Sequence, residues 1–189
     1  MIDQMKIELA IHSLLLALGE DPDREGLLET PKRMAKLYKE VLSGALEDPA
    51  VHLSKTFTVD AKHMVVEKDI PFYSMCEHHM MPFFGTVHVA YLPNGRVVGL
   101  SKLVRTVECF ARRLQIQERM TQEIADAIMT HLSPRGVIVM VEAQHLCVSM
   151  RGVKKPGSQT VTMATTGDFA GTADESRFLT EQFMRMIRG

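Results

Sequence analysis

Residues 74–82 read Ser-Met-Cys-Glu-His-His-Met-Met-Pro, and they connect two segments with the β-branched and aromatic character of strands. Cys76 and His79 are three positions apart, so both side chains can reach one metal ion from a single turn. A second stretch, Glu-Ala-Gln-His-Leu-Cys-Val-Ser-Met-Arg-Gly at 142–152, carries Cys147. The fold must bring Cys147 back to this turn if the three side chains are to bind one ion.

The Cys76, His79 and Cys147 set predicts a zinc site. Two thiolates and one imidazole suit Zn²⁺, which accepts sulfur and nitrogen ligands in a tetrahedron. Three protein ligands leave one position for water, as in catalytic rather than structural sites. His78 and His145 each lie close to a proposed ligand and are available for proton transfer. The alternative is that the cysteines are small buried apolar side chains and the histidines are structural.

The composition is that of a globular protein of one domain, with an N-terminal helical segment at 1–55 and the motif-bearing catalytic domain at 56–189. The 189 residues are 46% hydrophobic and 24% charged, with a formal net charge of −1. We therefore expect no nucleic-acid partner and no attraction to a membrane surface. The three cysteines lack disulfide spacing, and the apolar run 14–18 is too short to span a bilayer. These features predict a cytoplasmic protein.

Helical periodicity predicts two helices in the N-terminal segment. The first begins with Asp3 as N-cap and ends at Leu18, and the second begins with Thr30 as N-cap and ends at Gly44. Strands are expected at 64–66, 70–72 and 86–92, followed by a turn at 93–95 and a returning strand at 97–100.

The second half of the chain alternates between helix and strand signals. Ser101 is expected to cap a helix from Lys102 to Leu114, and another helix covers 117–132. Further strands are expected at 137–141, 145–150 and 160–166, before a final helix from Asp174. This order predicts an α+β fold whose antiparallel sheet is covered by helices on one face.

Four motifs appear in order along the chain. They are Cys-Glu-His-His at 76–79, Gly-Leu-Ser-Lys-Leu-Val-Arg at 99–105, Gln-Glu-Arg-Met-Thr at 117–121, and His-Leu-Cys followed by Met-Arg-Gly-Val at 145–153. From about Pro22 to the C-terminus the chain resembles the GTP cyclohydrolase I family. The resemblance implies the tunnelling fold, in which the sheets of neighbouring subunits join into a closed barrel. It also implies a homodecamer of two face-to-face pentamers.

The resemblance implies the reaction of that family and its Zn²⁺ ion. Zinc held by Cys76, His79 and Cys147 would lower the pKa of bound water to about 7. GTP would be opened at C8 of guanine with release of formate and converted to 7,8-dihydroneopterin triphosphate, the first step of tetrahydrofolate and pterin biosynthesis. Histidine suits the required proton transfers. The resemblance assigns His78 to the purine side and His145 to either step.

The resemblance also implies a set of substrate contacts. Glu118 would accept the N1–H and N2 amino protons of guanine, although the helix dipole alone favours an acidic residue in a first helical turn. Gln117 would contact the substrate beside it, and Arg33 would face either a phosphate or solvent. A helix start and fixed cations would bind the triphosphate: Ser101, Lys102, Arg105 and Arg151.

Two other interpretations are compatible with parts of the pattern. A zinc ion that only stabilises a nucleotide-binding module would need a fourth protein ligand, such as Cys109 or a further histidine. Another enzyme of the tunnelling fold, such as the nitrile-reducing enzyme of queuosine synthesis, would need a nucleophilic cysteine and a nicotinamide cofactor. The combined cysteine and histidine set favours the first interpretation over both: Cys76, His78, His79, His145 and Cys147.

Overall fold

The computed structural model describes residues 2–188. The helices, in chain order, are α1 (Gln4–Ala17), α2 (Thr30–Val41), α3 (Pro49–Leu53), α4 (Leu100–Ala111), α5 (Gln117–Leu132), α6 (Leu146–Ser149) and α7 (Asp174–Arg188). The strands are β1 (Thr56–Thr58), β2 (Val65–Cys76), β3 (Pro82–Leu92), β4 (Arg96–Val98), β5 (Leu114–Gln115), β6 (Gly136–His145) and β7 (Thr160–Gly167). The predicted α+β class is confirmed.

Five strands form one sheet in the order β5-β2-β3-β6-β7. Neighbours among β2, β3, β6 and β7 are antiparallel, as predicted. The short strand β5 instead runs parallel to β2, with Met75 opposite Leu114 and Cys76 opposite Gln115. The sheet is therefore mixed rather than wholly antiparallel, because α4 carries the chain back along the sheet before β5 begins.

Helices cover both faces of this sheet. α4 and α5 pack on the face that carries Val87, Val89 and Tyr91 of β3. α7 packs on the opposite face, where Phe183 belongs to the same buried cluster as Ala90. The prediction of a single covered face is wrong, because Ala90, Leu92, Ile138 and Met140 form an apolar patch on the second face, and α7 covers it.

Two predicted strands fold differently. The turn at 93–95 leads into β4, but β4 pairs with β1 in a separate two-stranded sheet instead of returning along β3. The segment 145–150 is predicted as a strand, whereas β6 ends at His145 and the next four residues form the helical turn α6. A short apolar run does not by itself distinguish a strand from a turn of helix.

The boundaries of β2 and of two helices also differ from the prediction. β2 is one strand of 12 residues rather than two fragments, with a β-bulge where Asp69 has φ 58°. α2 begins at Thr30 itself, with Glu29 as its N-cap. Gly99 is the N-cap of α4, so Ser101 lies inside the first turn and does not cap the helix. Glycine is acceptable as an N-cap, and this explains the shift.

The N-terminal helices lie beside the sheet domain. α1 packs against α2, where Leu15 and Ala35 are buried. α3 packs against α4, and its Leu53 is fully buried in the main core. The domain boundary at residue 55 stays a prediction. Within residues 2–188, none of the helices has both the length and the apolar character that crossing a membrane requires.

Candidate metal centre and active site

Two connections at the same end of the sheet carry the predicted metal ligands. β2 ends at Cys76, and a tight turn closed by a bond from Met80 N–H to Cys76 O (2.8 Å) leads into β3. β6 ends at His145, which lies opposite Phe83 at the start of β3. Because α6 follows directly, this register places Cys147 beside the turn.

The structure brings the three predicted ligands together. The ligand atoms of Cys76, His79 and Cys147 all lie within 4.8 Å of one another. The two sulfur atoms are 4.0 Å apart, close to the edge of about 3.8 Å expected for a tetrahedron with Zn–S bonds of about 2.3 Å. Cys76 is buried and Cys147 half-buried, whereas His79 is exposed. The group fits a zinc ion held against the protein with an open outer side.

The electrostatics of the two cysteines also favour a metal. Burial raises the pKa of the Cys147 thiol, and the neighbouring sulfur of Cys76 raises it further. Two thiolates at this distance repel each other, so a bound cation is needed to keep both deprotonated. A divalent metal ion supplies that charge.

The third cysteine lies apart from this group. Cys109 is fully buried on α4, and its sulfur lies 3.5 Å from the backbone oxygen of Glu47. Among the residues that the structure describes, the Cys76, His79 and Cys147 set is the only cluster of three or more potential ligands. The fourth protein ligand that a purely structural zinc module needs is therefore not found in this part of the chain.

Gln117 holds His145 in one orientation. His145 Nε2 lies 2.8 Å from Gln117 Oε1. The amide nitrogen of Gln117 faces the backbone oxygens of Val141 and Thr160 and the hydroxyl of Thr162 at 3.0–3.1 Å. Since these carbonyl oxygens can only accept, the amide oxygen must face the imidazole, and Nε2–H of His145 donates to it.

The environment of His145 favours the neutral ring. The imidazole stacks on Phe83, with ring centroids 4.6 Å apart and planes at 2°. Burial lowers the pKa of His145, because the charged imidazolium loses its hydration, and the nearby carboxylate of Glu118 partly opposes this effect. The neutral ring with its proton on Nε2 leaves Nδ1 as the nitrogen that can accept a proton.

Two other side chains of this turn, those of Glu77 and His78, are at least partly open to solvent. His78 is exposed. Glu77 Oε2 accepts a hydrogen bond from Arg119 Nη2 at 2.5 Å. Arg151 Nη1 lies 3.1 Å from His79 Nε2, so a guanidinium group lies directly beside the metal centre.

Comparison with known proteins gives this site its context. Residues 7–188 match the sequence model of the GTP cyclohydrolase I family. This chain belongs to the GTP cyclohydrolase I family. GTP cyclohydrolase 1 of Clostridium kluyveri is 61% identical over 168 residues, which cover 89% of this chain and 91% of that protein. GTP cyclohydrolase 1 of Clostridium perfringens strain 13 is 54% identical over 187 residues, 99% of each chain. The solved structure of an apo archaeosine synthase QueF-like protein covers 55% of this chain and 93% of its own, with a TM-score of 0.45 and 20% identity.

Family membership confirms the resemblance that the four motifs predicted. Glu118, which is predicted to recognise guanine, and Gln117, which is predicted to contact the substrate, lie at the start of α5. Glu118 is exposed and close enough to His145 for its charge to act on the imidazole. Gln117 is 2% exposed, and its amide is engaged with protein groups. Both residues stay predictions as substrate contacts, but only the carboxylate of Glu118 is open to solvent.

The candidate phosphate ligands of this family member lie at the other end of the sheet. Ser101, Lys102 and Arg105 belong to the first two turns of α4, which starts beyond the end of β3 that is remote from Cys76. α4 has 12 residues and is therefore about 18 Å long. Within one chain, these residues and the metal ligands are not brought together.

The two remaining candidate arginines occupy different places. Arg151 lies on the metal side, beside His79. Arg33 is an exposed residue of α2, so it is available both to an anion and to solvent. As phosphate contacts, both stay predictions.

The structure also shows residues that the sequence analysis missed. Thr162 on β7 and Thr121 on α5 have their hydroxyl oxygens 2.6 Å apart, and Thr121 donates to the backbone oxygen of Gln117. With Gln117 and His145 they form one continuous polar chain. The sequence shows only that the predicted strand 160–166 contains several threonines. It does not show which helix their hydroxyl groups face.

Proposed function

We propose that this chain catalyses the reaction named for its family, the hydrolytic opening of GTP at C8 of guanine with release of formate and closure to 7,8-dihydroneopterin triphosphate. The observation that carries the proposal is the juxtaposition of the Cys76, His79 and Cys147 cluster with His145, whose orientation is fixed by Gln117. The product would enter tetrahydrofolate and pterin biosynthesis. The three free cysteines support a reducing, cytoplasmic location.

The metal ligands proposed are Cys76, His79 and Cys147. Zinc bound there would supply Lewis-acid activation of a water molecule at neutral pH. The buried Cys76 and the half-buried Cys147 would hold the ion on its protein side, and the exposed His79 would leave the outer side accessible to a purine. Arg151 beside His79 adds a positive charge where the anionic substrate would approach.

Two histidines would move the protons. His145 offers Nδ1, because its Nε2–H is bonded to Gln117, and its neutral ring suits proton acceptance first and donation later. His78, exposed on the turn, would protonate the purine nitrogen as the imidazole ring opens. His145, whose ring is orientated by Gln117, would serve either this purine step or the opening of the ribose ring.

Guanine would be selected by Glu118. A single carboxylate can accept from the N1–H and the N2 amino group together. Adenine lacks this pair of donors, so the carboxylate would be left unpaired against it. The position of Glu118 near His145 supports this role.

The triphosphate would be held by a neighbouring subunit. Ser101, Lys102 and Arg105 lie about one helix length from the metal end of their own chain, so a complete site needs the α4 of another copy. The free edges of the sheet support such assembly. β7 is an edge strand with exposed Val161 and Met163, 56% and 52% accessible.

The opposite edge of the sheet is also largely available. Among the described residues, β5 pairs only with Met75 and Cys76 of β2. The rest of the outer edge of β2 is therefore open to another strand. Joining β7 of one copy to β2 of the next would continue the sheet around a ring. This is the barrel of the tunnelling fold, and we propose the homodecamer of the family resemblance as the assembly.

The direct test is incubation of the purified zinc-loaded protein with GTP. The expected result is release of formate together with a product that becomes a fluorescent pterin after oxidation. ATP under the same conditions should give neither. Absence of both signals from GTP, with zinc confirmed in the protein, would contradict the proposed function.

A further inference from the structure

An ion pair connects the metal-binding turn to the start of α5. Glu77 follows the ligand Cys76, and its Oε2 accepts from Nη2 of Arg119 at 2.5 Å. Arg119 directly follows Glu118, the residue proposed to read guanine. The pair therefore joins the two parts of the site that must act on the same base, across 42 positions of sequence.

Further hydrogen bonds fix the guanidinium of Arg119. Its Nε donates to Oε1 of Gln115 at 3.0 Å, and its Nη2 also donates to the backbone oxygen of Leu114 at 3.2 Å. Gln115 is itself 2% exposed, and its amide nitrogen donates to Glu123 at 2.8 Å. The planar fork of arginine is suited to such a fixed arrangement, whereas lysine offers a single point charge.

The backbone links the same two elements. The N–H of Glu77 donates to the backbone oxygen of Gln115 at 3.1 Å, beside the parallel pairing of β2 with β5. The backbone bond sets β2 and β5 in register, and the turn beyond Cys76 is itself closed by backbone bonds between Cys76 and both Met80 and Met81. The Glu77–Arg119 pair adds a side-chain connection from this turn to the first turn of α5.

Isolated exposed ion pairs usually contribute little to stability. This pair differs, because Arg119 donates to two further acceptors besides Glu77. Glu77 in turn lies between the proposed ligand Cys76 and the proposed proton donor His78. No role as metal ligand or substrate contact is assigned to either side chain. Their geometry points to alignment rather than to chemistry or to general stability.

We propose that Glu77 and Arg119 are a positioning pair that holds the metal-binding turn in register with Glu118, so that C8 of the guanine bound by Glu118 lies against the metal centre. The inference rests on the proposed function, since it concerns the alignment of that substrate. A misplacement of about 1 Å in such a site can lower a rate by about 10²-fold. Breaking the pair should therefore lower kcat while both the metal and GTP still bind.

The experiment compares Glu77→Gln, Arg119→Met and the double variant with the wild-type protein. Each single variant should lower kcat by about 10- to 100-fold. KM for GTP should change by less than about threefold, and zinc should stay at the wild-type stoichiometry. The double variant should be no slower than the slower single variant, because partners in one interaction are not additive. Arg119→Lys should give an intermediate kcat.

A matched control is available at a distance from the site. Arg135 and Asp168 form an ion pair of similar exposure, 2.6 Å apart, that links the start of β6 to the residue after β7. Asp168→Asn should leave kcat, KM and zinc content unchanged. The melting temperature of every variant is measured, and Glu77→Asp is included as a milder change. A lower kcat at an unchanged melting temperature indicates misalignment rather than loss of folding.

Several results would overturn the positioning role. One is an unchanged kcat in both single variants, and another is a fall in kcat in Glu77→Gln alone. A third is a double variant whose fall in kcat equals the product of the two single falls. The last is a loss of bound zinc large enough to explain the lower activity. If instead the wild-type protein with bound zinc releases no formate from GTP, the proposed function itself fails and the pair loses its role in this reaction. If the wild-type protein is active and the variants are fully active as well, only the positioning role of the pair is rejected.

Discussion

His145 Nε2 lies 2.8 Å from Oε1 of Gln117, and this bond sets which nitrogen of the imidazole carries the proton. The amide of Gln117 cannot rotate by half a turn, because its nitrogen would then lose the acceptors on β6 and β7. The side chain of His145, at the end of β6, is thus orientated by the first residue of α5. Gln117, which is predicted to contact the substrate, also orients a proposed proton donor and acceptor.

Replacing Gln117 with leucine should therefore impair catalysis without removing the metal. Leucine has a similar size but leaves His145 Nε2 without its acceptor, so the ring can rotate or change tautomer. We expect kcat to fall by up to about 10²-fold, within the contribution of a positioned acid or base, with zinc content unchanged. Gln122→Leu on the exposed side of the same helix is the control. An unaltered kcat in Gln117→Leu would show that this bond does not orient the catalytic ring.

The cysteines should separate into two classes. Cys76→Ser and Cys147→Ser each remove a soft ligand and should lose both zinc and activity, as measured by metal analysis and formate release. Cys109→Ser should keep both, because Cys109 is buried in α4 away from the cluster. Zinc that persists at full occupancy in Cys147→Ser would remove this residue from the ligand set.

His78→Ala should keep zinc and bind GTP while ring opening slows. The side chain is exposed on the turn and is not in the ligand cluster. A positioned acid or base contributes about 10² to 10⁴ in rate, and we expect a loss in that range in single-turnover kinetics. Should His78→Ala lose its zinc instead, His78 would be the ligand and His79 the acid.

Glu118→Gln tests how guanine is recognised. The substitution keeps the shape but replaces one acceptor oxygen by a donor, which would face the donor groups of guanine. A hydrogen bond to a charged group is worth about 1.5–3 kcal/mol, so GTP affinity should fall by about 10- to 100-fold while zinc stays bound. Asp126→Asn, also exposed on α5, serves as control. A wild-type KM in Glu118→Gln would mean that the carboxylate serves the helix terminus alone.

Mixed oligomers test the shared site. His78→Ala and Arg105→Ala should each be nearly inactive as homo-oligomers, because each lacks one half of every site. When the two variants are co-expressed, some interfaces combine an intact metal half from one chain with an intact α4 from its neighbour. Activity should reappear at a fraction set by random assortment of the chains. Verified mixed oligomers without activity would mean that each chain holds a complete site.

The sequence alone determined the parts of this protein that depend on local chemistry. The Cys76, His79 and Cys147 set was identifiable because few side chains bind zinc and their types and spacing are distinctive. Helix α5 was predicted with its observed bounds, Gln117–Leu132, because its apolar spacing and its Pro134 signal are local. The family motifs were likewise readable residue by residue.

Only the tertiary structure decided the relationships that depend on strand register and on pairing between distant segments. β4 pairs with β1, and β5 lies parallel to β2, although no local pattern selects those partners. The same register brings Thr162 to Gln117 and Arg119 to Glu77. Side-chain hydrogen bonds need atoms within about 3 Å, and sequence periodicity gives only the face of an element, not its neighbour. The candidate metal ligands could therefore be predicted from the sequence, but the hydrogen bonds of the neighbouring residues His145 and Glu77 appear only in the assembled sheet.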